Sequence, residues 1–307
     1  MTDAHATGLA HPQLTLHYQI ARRDDLCLSP GADMVLSMVS GELRHRVCLD
    51  EAEWEGGVAC HGLGFTVSRA ADPDAWALAL GEQTARANEL LAPLGGRLLP
   101  GGSHPFMDPA RETWIWNHDQ AEVFAALDRV CGLKCQSWSN QGYAAIRVPY
   151  GDDADFGRAF AALRLLAAIV PALAASSPLV DGVDRGYSSE RVLAFCERGA
   201  ALGLPGGPLP GPAATPGECL DKELGPVREA LARLDPEGLI APGSLAVGGL
   251  RLEVESRSIV CDLADLQECP RADLAVTGLF FHALGRLRAS DAAGGEQPAP
   301  AALAALL

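Results

Sequence analysis

The stretch LLPGGSHPFMDP, residues 98–109, decides how the chain is read. A short strand over Arg97 to Leu99 runs into a glycine pair, a histidine and prolines, which is a strand feeding a rigid irregular loop. The loop is not a phosphate-cradling P-loop, for it lacks the Gly-Lys-Ser/Thr ending that grips phosphate and magnesium. Upstream, Leu14 to Ile20 alternates apolar and polar residues before an Arg22 to Asp25 turn, and a second strand is expected over Val58 to Val67. Between them and the loop, Pro73 opens a helix through Leu91, stopped by Pro93 and two glycines.

Downstream, Ala121 to Val130 reads as a helix and Tyr143 to Val148 as a strand ended by Pro149. Asp155 to Ala175 reads as a long apolar central helix with a kink at Pro171. Gly203 to Pro216 is dense in Gly and Pro and reads as a loop. A helix from Asp221 to Leu234, strands at Leu250 to Glu255 and Ser258 to Leu263, and a helix from Arg271 to Arg288 complete the pattern. One domain over 14–288 is expected, with a flexible 1–13 and a disordered Ala/Gly/Pro tail at 289–307 whose apolar AALAALL is free to dock.

Composition narrows the functions. With 24 Lys+Arg against 39 Asp+Glu, the formal charge of −15 repels polyphosphate backbones and anionic lipid, which leaves small molecules or proteins as partners. The longest apolar run, Leu165 to Ala175, is shorter than the roughly 20 residues a spanning helix needs. MTDAHATGLAHPQ carries no basic and apolar leader, so cytoplasmic residence is the expectation. The 9 cysteines are scattered, and Cys131 and Cys135 have no second pair at zinc spacing, so no structural metal is expected.

Taken together, LLPGGSHPFMDP, IWNH at 115–118, Trp138-Ser-Asn140, PALAASSP at 171–178, Asp181-Gly182, Arg191, DPEG at 235–238 and QECPRAD at 267–273 keep a fixed order. In that order the chain resembles the carboxylate-amine ligases of the bacterial glutamate-cysteine ligase type, from about Leu14 to Leu287. The resemblance implies an α+β, glutamine-synthetase-like fold, a curved antiparallel sheet forming a funnel backed by helices. It also implies ATP-dependent amide formation through an acyl-phosphate. Such chemistry needs magnesium to neutralise the transferring phosphoryl group, and magnesium needs oxygen ligands.

The sequence departs from the pattern at the acids. Thr15 and His17 stand where the resemblance implies a Glu-x-Glu pair, and Gly64 stands where it implies the second strand's inward Glu, in the glycine-rich GGVACHGLG at 56–64. Ala145 replaces a metal-binding His and Arg147 an Asn; Val260 and Asp262 fall on a Glu and an Arg, and Gly248 on another Arg. A shifted register over 243–266 would bring Glu253, Glu255 and Arg257 there instead. Partners that merely orient metal ligands cost about 10- to 100-fold each when lost, so losing three ligands costs on the order of a thousandfold or more.

The expectation is therefore a catalytically degenerate homologue, a pseudoenzyme acting as a binding or partner subunit, in an oligomer or beside an active ligase of the same fold. No cofactor is expected. Candidate ligand-binding residues are His61, His104, Trp138, Asn140, Arg147 and Arg191, facing a small anionic molecule or a protein partner. Arg147 introduces a guanidinium suited to carboxylate or phosphate, or to a salt bridge closing the funnel. A histidine set between glycines and prolines more often pins a loop than binds a ligand, which is the competing reading of His104, and His17 with His61 are too few ligands to define a site for a softer metal. The alternative is an active ligase, using ATP and magnesium, with Glu55, Glu253, Glu255 or Asp265 supplying acids from shifted positions. A third reading is a nucleotide-free reaction in which Arg147 and His61 act on an anionic substrate.

Overall fold

The strand expected over Leu14 to Ile20 is the spine of the molecule. In the computed structural model it runs Gln13–Arg22 (β1). The structure describes residues 12–49, 51–69, 72–201, 209–245, 249–290 and 297–304. Gly248, residues 1–11 of the stretch expected to be flexible over 1–13, residues 203–208 of the expected 203–216 loop, and residues 291–296 and 305–307 of the expected tail lie outside the described residues.

The other strands are Arg46–Cys48 (β2), Glu53–Gly56 (β3), Gly62–Ser68 (β4), Gly96–Leu99 (β5), Tyr143–Pro149 (β6), Leu250–Glu253 (β7) and Ser258–Asp265 (β8). The helices are Ala32–Ser40 (α1), Pro73–Leu91 (α2), Pro109–Glu112 (α3), Ala121–Cys131 (α4), Gln136–Ser139 (α5), Asp153–Ala167 (α6), Val170–Ala174 (α7), Glu190–Ala201 (α8), Pro216–Leu234 (α9), Pro270–Arg288 (α10) and Pro300–Ala304 (α11).

Among the described residues the strands form one open antiparallel sheet in the order β2-β3-β4-β1-β6-β8-β7, with β5 pairing the far end of β1. Side chains alternate across a strand. One face of β1 carries Leu14, Leu16, Tyr18 and Ile20 into the core, and Phe65, Trp54, Ile146 and Ile259 continue that face on neighbouring strands. Helices α2 and α6 contact the sheet, and α10 packs across both of them. The opposite face, bearing Thr15, His17 and Gln19, is left for the site.

The expected central helix is two helices, because the chain breaks after Ala167 and restarts at Val170 with Pro171 in the first turn, where a missing N–H costs nothing. Helix α9 starts at Pro216, earlier than expected: Thr215 caps the Glu218 N–H at 3.2 Å, and Glu218 reaches back to the Ala214 N–H at 2.7 Å. In the stretch expected to be a disordered tail, α11 forms and buries Leu303. Arg164, fully buried on α6, holds that segment by donating to the Pro298 carbonyl at 2.8 Å, and holds the Pro210 carbonyl at 2.9 Å.

Candidate functional site

Three central strands set the chemistry of the open face. In register, Thr15 lies between Thr66 and Ala145, and His17 lies between Gly64 and Tyr143. None of these residues is a carboxylate. Carboxylates stand on the flanks, and those of β3 and β7 hold arginines. Arg46 lies 3.4 Å from Glu53 and 2.8 Å from Glu55, while Glu253 takes Arg147 at 2.5 Å and Arg251 at 2.7 Å. Among the described residues no three His, Cys, Asp or Glu converge to hold a metal ion. Magnesium asks for near-octahedral oxygen, usually including carboxylates. The residues of this face do not fit it.

The glycines of GGVACHGLG have a steric reason. A Cβ on Gly62 would lie 2.8 Å from His17 Cε1, one on Gly57 3.2 Å away, and one on Gly64 3.1 Å from His17 Cδ2. The imidazole thus lies over a floor of bare backbone, and the Tyr143 ring covers it in a stack 4.8 Å away and 7° from parallel. Burial lowers the His17 pKa to about 4, with the Glu55 carboxylate offsetting only part of this. At neutral pH His17 is an uncharged wall.

Behind it lies a cavity of about 220 Å³, lined by His17, His61, Trp138, Tyr143, Arg198 and Asp262 among others. Arg198 is 8% exposed, and its guanidinium lies 4.0 Å from the Trp138 ring centre and 4.6 Å from that of Phe195. It donates to the Ser137 carbonyl, while its Nε is buried without a partner. Burial lowers its pKa to about 10, against the pull of Asp262. Asp262 Oδ1 is likewise buried and unpartnered; burial pushes this carboxyl up, and Arg251, Arg191 and Arg198 draw it back. An acid and a base therefore share one small cavity with neither hydrogen bond nor ion pair joining them.

Of the residues expected at the site, His61, Trp138 and Arg191 meet at this cavity. His61 Nε2 contacts the Ser139 carbonyl at 2.7 Å. Arg191 is committed to Asp265 through Nε at 2.6 Å and to the Asp262 carbonyl at 3.1 Å. Asn140 and His104 hold the GGSHPF loop instead: Asn140 accepts from Gln19 at 2.9 Å and from the His104 N–H at 2.7 Å, and His104 Nε2 contacts the Leu26 carbonyl at 2.9 Å. Arg147 lies apart, beside a second cavity of about 1130 Å³ on the same face. Sequence reasoning passed over Tyr143 and Arg198. The latter was legible in principle, because it follows Arg191 by two helical turns and shares its face of α8.

The retained landmarks form a structural knot. Asp265, with no exposure, accepts from the Ser176 N–H at 2.9 Å, the Ser177 hydroxyl at 2.6 Å, the Ser189 hydroxyl at 3.1 Å and Arg191. Ser176 Oγ donates to the Leu266 carbonyl at 2.7 Å and accepts the Gly102 N–H at 3.0 Å, and Gln267 reaches the Ala174 carbonyl at 2.7 Å. A Cβ on Gly102 would come within 2.4 Å of the Asp265 carboxyl carbon. The GGSHPF, AASSP and QECPRAD segments are thus tied to one another.

Two comparisons bear on this arrangement. A 95-residue stretch, 31% of this chain, is 27% identical to an uncharacterized protein of Archaeoglobus fulgidus and covers 26% of that protein's length. The chain therefore spans about a quarter of that relative. The model of glutamate-cysteine ligase family 2 (GCS2) matches residues 68–208, from the end of β4 through the loop, β6 and α8, and stops short of β1, β3, β7 and β8. Over residues 68–208, somewhat under half of the chain, the sequence is similar to glutamate-cysteine ligase family 2, among the carboxylate-amine ligases.

Proposed function

We propose that this chain is a catalytically silent relative of the ATP-dependent carboxylate-amine ligases, with a glutamine-synthetase-like sheet that serves as a binding or partner subunit in the cytoplasm. One observation carries the reading: the three central strands present Thr, His, Gly, Ala and Tyr to the open face, and the acids of β3 and β7 are held by arginines. A divalent cation brought there would have to displace guanidinium groups from Glu53, Glu55 and Glu253. The knot around Asp265 supports the same reading, because it explains the landmarks as scaffold, which persists whether or not chemistry does.

The active-ligase alternative drew on Glu55, Glu253, Glu255 and Asp265. Glu55 and Glu253 are paired, and Asp265 is closed in by four donors. Glu255 stands exposed beside the second cavity. The test is product release: purified protein with ATP, magnesium, glutamate and a mixture of amines is expected to release no ADP or phosphate above the protein-free background. Magnesium-dependent release sustained over many turnovers would overturn the proposal.

A further inference from the structure

We propose that a cavity of about 670 Å³ on the outer side of α8 is a binding site for one uncharged, largely apolar small molecule. Its walls are Pro171, Ala172 and Ala175 from α7 and its end, and Leu193 and Cys196 from α8, with the Gly186 to Ser189 loop at its mouth. Helix α8 is the partition between this space and the cavity at the sheet. Arg191, Phe195 and Arg198 recur at four and three residues and line the inner space, whereas Leu193 and Cys196 line the outer one. At about 3.6 residues per turn, the two sets leave the helix in roughly opposite directions. The outer cavity is therefore a separate site, and it stands whether the inner one is silent or active.

Charge and size select the occupant. No charged side chain lines the cavity. Burial pushes the Cys196 thiol up to about 11, so it too is neutral at physiological pH. Arg185 and Glu190, which flank the loop, answer each other. A charged ligand would shed water there with nothing to pair it, whereas an uncharged apolar body gains by leaving water. Leu193 and Cys196 are only half-buried, so the cavity presents their apolar surface. Of the hydroxyls in the lining, Ser189 gives its own to Asp265 at 3.1 Å, and the exposed Tyr187 and Ser188 are left to meet one polar group of the ligand. Ten residues line the cavity, too few for a protein partner, whose stable interfaces take roughly 20–30 a side. Its volume falls within the roughly 300–1,000 Å³ of small-molecule sites.

Fluorescence titration of the whole protein tests both the site and its charge preference. The probes are N-phenyl-1-naphthylamine, which is uncharged, and 1-anilinonaphthalene-8-sulfonate, the same skeleton carrying a sulfonate. The uncharged probe is expected to saturate at one per chain and to bind about tenfold or more tighter than the sulfonate, a low bound for burying a charge without a partner. Ala172→Trp, which fills the cavity from an exposed position, is expected to weaken the uncharged probe about tenfold or more. Leu193→Arg, with its fold checked by circular dichroism, is expected to reverse the preference toward the sulfonate. Equal or tighter binding of the sulfonate by the native chain, unchanged binding in A172W, a retained preference in a folded L193R, or no saturation by the uncharged probe would each overturn the site. Probe binding that fades as the protein dimerises on concentration, followed by sedimentation velocity, would give the cavity to a second copy and overturn it likewise. None of these outcomes touches the silent-ligase reading, which ATP turnover tests separately.

Discussion

A glycine and a histidine explain each other at the centre of the sheet. GGVACHGLG looks like a weak strand until the His17 imidazole is seen lying on Gly57, Gly62 and Gly64 under Tyr143. Gly62→Ala is expected to cost about 1–3 kcal/mol by overpacking. Pairing it with His17→Ala should recover part of that loss, a non-additivity readable in a urea double-mutant cycle. His17 also imposes a pH dependence. Its folded pKa of about 4 lies below the ordinary histidine value of 6.5, so the unfolded chain takes up the proton first and stability falls as pH drops from about 6.5 to about 4. The full shift corresponds to roughly 3 kcal/mol. Buried Asp273, raised to about 7, has the opposite sign, favouring the fold as pH falls toward 4. Comparing His17→Gln with the native chain isolates the histidine: the variant should lose less stability across that window.

Elements are tied together by buried polar groups at two places. Asp265 on β8 links the Ser176–Ser177 turn to α8, and Asp265→Ala would leave Arg191 buried and unpaired, at a cost of about 3–5 kcal/mol in denaturant unfolding. Arg164 fastens the 297–304 segment to the central helix, so ending the chain at residue 296 should cost about 2 kcal/mol or more through lost acceptors and the exposure of Leu303's site. The elements legible in the sequence are those with a long, clean period: β1, α2, β6 and α10 start and stop within a few residues of expectation. Short β2 and β3 were missed because a three- or four-residue strand has no measurable alternation. Helix α1 was missed because glycines bracket nine residues, and α9 was shortened because its capping box was read as loop. The cavity was half legible. His61, Trp138 and Arg191 were on the page, but the meeting of Arg198 with Asp262 depends on how α8 packs against β8, which no local period encodes.

For the molecule as a whole, the open face of the sheet carries arginine–glutamate pairs, on a chain whose formal charge is −15. The GCS2 match over 68–208 covers much of the scaffold knot and leaves out the strands where most of the implied acids are missing, so relatedness and silence are compatible. The most direct measurement of that claim counts manganese ions, used in place of magnesium, by electron paramagnetic resonance during titration of the protein with and without ATP. The account predicts that the free-ion signal follows the protein-free control in both series. Saturable loss of that signal at one or more ions per chain, strengthened by ATP, would contradict it.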